Sequence, residues 1–165
     1  MHRVLDAMVI FWLHRANLIS PMLQLGERFC VVEFLPPNEL IEPDGSTLIQ
    51  RGLCVLSLPN EFAIRAEHWQ QERPRLSLGD VYSAALAQSE GRELATHDGE
   101  LRELCRDQRI PVCGIAEVVL TMAEAGVISR QDVERFRAQM HRDNCDYHRP
   151  PVKRALKIAP DELPR

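Results

Sequence analysis

The chain has 165 residues, 45% of them hydrophobic, with 20 Lys+Arg against 24 Asp+Glu and a formal net charge of −4. That length suits one compact domain, and the apolar share excludes wholesale disorder. An acidic balance, with a pI near 5.9, excludes a protein that coats nucleic acid through bulk positive charge. Arg3-Val4-Leu5 then reads as a short first strand and Ala7 to Leu18 as a helix dense in large apolar residues. Ser20-Pro21 reads as an N-cap with proline at the first helical position, and Gly26 closes that short helix. Phe29 to Val32 is a buried strand, Pro36 to Leu40 a turn or helical turn, and Pro43-Asp44-Gly45-Ser46 a loop. Leu53 to Leu58 is strand-like, and Glu61 to Glu72 is a polar helix ending before Pro74.

The second half is more regular. Ser77-Leu78-Gly79-Asp80 opens an alanine-rich helix whose Val81, Ala84, Ala85 and Gln88 share a face. Glu93 to Thr96 is a strand, and Leu101, Leu104 and Cys105 form the stripe of an amphipathic helix. Ile110 to Cys113 is a further strand. Ile115, Val118, Val119 and Met122 give the next helix a full apolar face closed by Gly126. Ser129 to Asp132 resembles a capping box for a last helix carrying Val133, Phe136 and Met140. Strands alternating with helices predict a parallel sheet flanked by helices. From Asp143 onward, prolines and scattered charge predict an extended or disordered tail.

Cys30, Cys54, Cys105, Cys113 and Cys145 are odd in number and form no CxxC, unlike a secreted disulfide framework. The apolar run Ala7 to Leu13 is too short to span a bilayer and follows Asp6, so a cytoplasmic protein without membrane attachment is expected. Lys153 and Lys157 are the two lysines, so arginine supplies 18 of the 20 basic residues. The excess reflects either phosphate recognition or codon composition.

Three acids fall where strands give way to helices, the edge at which parallel sheets bind ligands. Asp6 follows Val4-Leu5, Asp98 follows Leu94-Ala95-Thr96, and Asp80 opens the alanine-rich helix; Glu39 lies shortly after the Phe29–Val32 strand. Converging carboxylates repel one another, and a hard divalent cation removes that penalty while activating water and neutralising a scissile phosphate. Each acid also has a plain structural role open to it: Asp80 in a capping box, Asp98 in the first turn of a helix capped by Thr96, Asp6 and Glu39 in solvated turns.

The wording of these junctions is more specific. Val4-Leu5-Asp6-Ala7, Leu78-Gly79-Asp80-Val81-Tyr82-Ser83-Ala84-Ala85-Leu86-Ala87 and Leu94-Ala95-Thr96-His97-Asp98-Gly99-Glu100-Leu101 resemble, in order and spacing, the three acidic motifs of PIN-domain proteins. The continuation, Ile110 to Gly114 and Ala123 to Ser129, resembles prokaryotic members close to VapC-type toxin ribonucleases. The likeness covers roughly residues 3–140, implying a PIN-like domain over 1–142 ahead of the tail at 143–165. It implies a three-layer α/β/α fold and an endoribonuclease dependent on Mg2+ or Mn2+, the toxin half of a toxin–antitoxin pair. An RNA substrate, a cognate antitoxin protein and a homodimer follow from the same likeness. Asp6, Asp80 and Asp98 match the metal-binding acids, Glu39 the remaining catalytic acid with Glu33 and Glu42 as alternatives, and Thr96 the hydroxyl residue that steadies a carboxylate or water. Ala7 and Met8 depart from the pattern, which commonly places a small hydroxyl residue there to position water.

Two other readings stand beside the nuclease: a PIN-like protein of little or no activity serving as a protein- or RNA-binding module, and an α/β phosphohydrolase acting on a small phosphate ester. His141, Cys145 and His148 have helical spacing for zinc but lack a fourth ligand, and Pro150-Pro151 follows at once. Trp12 and Trp69 read as core or interface, with base stacking the alternative for Trp69. His97 reads as a surface or supporting residue. The stretch Arg149, Lys153, Arg154 and Lys157 is open to RNA, a partner or solvent.

Overall fold

Val4, Leu5, Cys30, Val31, Val32, Leu94 and Ala95 are fully buried, as strands covered on both faces require. In the computed structural model, which describes residues 2–142, they lie in the three central strands of a five-stranded sheet. Its strands are β1 (Arg3–Leu5), β2 (Phe29–Val32), β3 (Cys54–Leu56), β4 (Glu93–Ala95) and β5 (Val112–Cys113). The order is β3-β2-β1-β4-β5 and every pairing is parallel. The helices that connect and cover them are α1 (Ala7–Arg15), α2 (Ile19–Leu23), α3 (Leu35–Asn38), α4 (Gly45–Gln50), α5 (Asn60–Glu72), α6 (Leu78–Ser89), α7 (Gly99–Asp107), α8 (Ile115–Glu124) and α9 (Arg130–Arg142). The result is a three-layer α/β/α fold.

The chain builds β1, β2 and β3 outward in one direction, then returns to add β4 on the other side of β1. The crevice of such a sheet opens where the order reverses, beyond the carboxyl ends of β1 and β4. At the opposite edge Arg3 donates to Glu93 at 2.7 Å and to Thr121 at 2.5 Å, tying β1 to β4 and α8. The alanine-rich α6 buries Val81, Ser83, Ala84, Ala85, Leu86 and Ala87 and packs against β1, β2 and α5, its small side chains permitting that close approach.

Several elements depart from the sequence expectations. The first helix stops at Arg15 rather than Leu18, because Asn17 takes a left-handed conformation at φ 58°, which asparagine tolerates better than most residues. The next helix starts at Ile19 with Leu18 as its cap, so Ser20 is inside it and accepts a hydrogen bond from Arg51. The expected loop at 43–46 is instead a helix start: Asp44 accepts from the Thr47 N–H at 2.8 Å and caps α4. β1 and β2 keep their expected bounds, whereas β3, β4 and β5 are shorter than expected, β5 by two residues.

The expected end of α8 and start of α9 hold. Gly126 follows α8 with φ 72°, and Ser129 and Asp132 exchange backbone and side-chain hydrogen bonds ahead of α9. Trp69 is in the core, and Cys30, Cys54, Cys105 and Cys113 are free thiols. Residues 143–165, with Cys145, His148 and the basic stretch from Arg149, lie outside the described residues. No helix among the described residues is long and apolar enough to cross a membrane.

Candidate active site

Asp6 follows directly on β1. Its backbone N–H still donates to Ala95 on β4 at 3.2 Å, and its side chain then turns to start a helix, Oδ1 accepting from the Val9 N–H at 2.7 Å. The carboxyl is 2% exposed. Burial pushes its pKa up to about 7, against hydrogen bonds from Thr96 and Val9, with the charges of Asp80 and Asp98 adding to the rise.

Thr96, fully buried at the end of β4, serves both neighbouring acids. Its hydroxyl bonds to the Asp6 carboxyl and its Oγ1 accepts the Asp98 N–H at 3.1 Å. Asp98 is itself the N-cap of α7, Oδ1 accepting from the Leu101 N–H at 2.7 Å. Arg102, one turn further on, donates to the carbonyl oxygens of Thr96 at 2.8 Å and Cys113 at 3.0 Å, clamping the ends of β4 and β5 together.

Asp80 stands in the first turn of α6 in a reciprocal box. Ser77 Oγ accepts the Asp80 N–H at 3.1 Å, and Asp80 Oδ2 accepts the Ser77 N–H at 2.8 Å. Partial burial raises the Asp80 pKa, the bonds from Ser77 oppose the rise, and the charge of Asp98 adds to it.

Glu39 reaches the same turn from α3. Its Oε1 accepts from Ser77 Oγ and from the Gly79 N–H, both at 3.0 Å. A helix start presents unpaired N–H groups and the positive end of its dipole, so a carboxylate is well placed there. Glu33 turns instead to Ser57 and Leu58, so the glutamate against α6 is Glu39.

A side chain at position 79 would collide with this contact: a Cβ there falls 2.3 Å from Glu39 Oε1. Gly79→Ala is therefore expected to displace Glu39. The helix gains about 1 kcal/mol from alanine and loses a charge-assisted bond of about 1.5–3 kcal/mol. A small net loss of about 1 kcal/mol in thermal or urea unfolding is the expected outcome; a gain would show that the Glu39 contact contributes nothing.

Asp6, Asp80 and Asp98 are thus brought within electrostatic reach of one another, with Thr96 linking the first to the third and Ser77 linking Glu39 to Asp80. In each aspartate one oxygen is committed to a helix start. Among the described residues, no group of three or more His, Cys, Asp or Glu side chains stands close enough to hold a metal ion. The donor chemistry nevertheless suits one: hard carboxylate oxygens without sulfur, and mutual repulsion that a divalent cation would relieve.

Ser77, Gly79 and Arg102 were not legible as site residues. Ser77 and Gly79 carry only the signal of a helix start, and their partner Glu39 is some forty residues away; Arg102 sits on a helix with an ordinary charge pattern. His97 accepts a long hydrogen bond from the Ile115 N–H at 3.4 Å, tying the loop after β4 to the start of α8.

The family model described as PIN domain matches residues 3–107, well over half of the chain. Among solved structures, the crystal structure of PAE2754 from Pyrobaculum aerophilum is similar, with a TM-score of 0.51 and 18% identity, covering 74% of this chain and 97% of that one. At that identity the likeness carries the fold alone. No curated protein matches the chain.

Proposed function

The chain belongs to the PIN-domain family, whose members are generally metal-dependent nucleases, and from that premise we propose that it is an endoribonuclease of the VapC-like toxin kind, using Mg2+ or Mn2+. The observation that carries the reading is the Asp6 carboxyl at the crevice of the sheet, joined through Thr96 to Asp98 and raised in pKa first by burial and further by the charges of Asp80 and Asp98. Carboxylates gathered without a structural need for their repulsion are the mark of a functional site.

Asp6, Asp80 and Asp98, which do not stand close enough to ligate one ion together directly, would hold the cation in part through its waters, and when bound it supplies charge neutralisation for the scissile phosphate and activates water. Thr96 fixes the orientation of Asp6 and of the backbone that presents Asp98. Glu39 and Ser77 hold the first turn of α6, so that Asp80 faces the crevice at a set angle. Arg102 keeps the floor of the crevice closed by holding the two strand ends together. As part of the same proposal, the protein acts in the cytoplasm as a homodimer, is held in check by a cognate antitoxin, and its domain ends near residue 142.

Ala7 and the exposed Met8, where relatives commonly carry a hydroxyl, favour a second reading: a PIN-like module of little or no activity that binds protein or RNA. The test is metal removal. Single-stranded RNA is expected to be cut in Mg2+ or Mn2+, left intact in EDTA, and cut again when metal is restored. Intact RNA at millimolar Mn2+, together with no heat of Mn2+ binding in calorimetry, establishes the module instead.

A further inference from the structure

Of the polar side chains buried among the described residues, Arg3, Asp6 and Thr96 are hydrogen-bonded within the protein. Ser83 on α6 is 0% exposed, and its Oγ has no hydrogen-bond partner among the described residues. A helical serine or threonine commonly turns back to a carbonyl of the preceding turn. Ser89 does so to Leu86 at 3.0 Å and Thr121 to Glu117 at 2.9 Å, whereas Ser83 does not. A buried hydroxyl without a protein partner is costly, and water or an ion is the ordinary remedy. Packing does not require the hydroxyl either: Ala84, Ala85 and Ala87 line the same helix where it meets the sheet.

The place of Ser83 on α6 relates it to the acids. It follows Gly79 by four residues and Asp80 by three, so it stands one turn below both on the same side of the helix. Helical Cα–Cβ bonds tilt toward the helix start, which leans Ser83 toward that turn. Gly79 is where the Glu39 carboxylate rests, with Oε1 bonded to Ser77 and Gly79 and Oε2 accepting no hydrogen bond from the described residues. One helical turn is about 5.4 Å, close to the span of two oxygens bridged by one water at about 2.8 Å from each. We propose that Ser83 is a positioning residue of the acid site, whose hydroxyl and the free oxygen of Glu39 together hold one water from the hydration shell of a divalent cation. The inference rests on the metal-dependent reading and deepens it. Asp6, Asp80 and Asp98 do not stand close enough to ligate one ion together, so part of its shell is water, and such waters need partners. Ser83 Oγ and Glu39 Oε2 both accept, which matches the two hydrogens of one water. Glu39 then acts through that water and not by touching the cation.

The test is calorimetric titration of Mn2+ into the full chain at pH 8, without RNA, where Asp6 is ionised. Ser83→Ala and Glu39→Gln are each expected to weaken Mn2+ binding about tenfold, as loss of a group that supports a metal ligand does. The double substitution is expected to cost no more than the larger single loss, because both remove the same water. Ser89→Ala, on the same helix but bonded to Leu86, is expected to leave Mn2+ affinity unchanged. Without metal, Ser83→Ala is expected to melt no lower than the unaltered chain, since alanine favours the helix and no protein hydrogen bond is lost. Should alanine lower the melting temperature, Ser83→Cys, similar in size and a weak acceptor, gives the same reading. Unchanged Mn2+ affinity in these Ser83 variants assigns the serine to packing and overturns the proposal alone. Losses that multiply in the double variant overturn the shared water. An unaltered chain that takes up no Mn2+ overturns the proposal together with the metal-dependent reading.

Discussion

Asp80→Asn is expected to lower metal-dependent RNA cleavage at least about a hundredfold while the fold and its melting temperature stay close to those of the unaltered chain. Asparagine keeps a side-chain oxygen for the Ser77 N–H, so the start of α6 survives the change. What disappears is one negative charge in a group of three that sense each other. Loss even of a group that supports a metal ligand typically costs about 10–100-fold, so loss of a charged donor is expected to exceed that range. Cleavage rates at saturating Mn2+ beside far-UV circular dichroism separate the two effects. Full activity with an intact fold would sink the assignment of Asp80.

A second large effect concerns stability. Asp6 has its pKa raised in the folded chain to about 7 from an ordinary 3.8, so the folded state holds this proton more tightly than the unfolded one. Below pH 3.8 both states carry the proton and the carboxyl costs nothing. As pH rises toward 7, the unfolded chain releases the proton first and stability falls, at about 1.4 kcal/mol per unit of pKa difference, or about 4 kcal/mol in all. Above 7 the deficit is constant. Asp6→Asn keeps the helix cap without the charge and is therefore expected to raise stability by roughly 2–4 kcal/mol at pH 8, with little change near pH 4. Melting curves of both proteins across that range check it. A pH-independent difference would show that ionisation of Asp6 is not the cause. Added Mn2+ is expected to raise the melting temperature of the unaltered chain at pH 8 and to do less for Asp6→Asn, since a ligand that binds only the folded state stabilises it.

Much of the fold was legible in the residues because the relevant signals are local. Buried strands appear as short apolar runs, and Gly126 and Ser129 mark helix ends by conformation and hydrogen bonding within a few positions. Asp44 shows where local reading misleads: Pro43-Asp44-Gly45-Ser46 has loop composition, yet Asp44 is an effective cap and a helix follows. Strand order was not legible, since each parallel crossover looks alike from within. The acids were ambiguous for a physical reason. Asp6, Asp80 and Asp98 each hold a helix start and each sense the charge of the others, so the structural and the chemical readings apply to the same carboxyls at once. What decides between them is proximity across the chain, which spacing does not encode.

The outermost strand, β5, is two residues long and has little ladder of its own. Cys113 accepts at its carbonyl from the Thr96 N–H at 3.1 Å and from Arg102, which also grips Thr96. Fraying of that edge would reach inward, because the bonds it releases include those that hold the threonine beside Asp6. The rim of the sheet is therefore coupled to the acids at its middle, and a lesion in β5 is expected to be felt at Asp6.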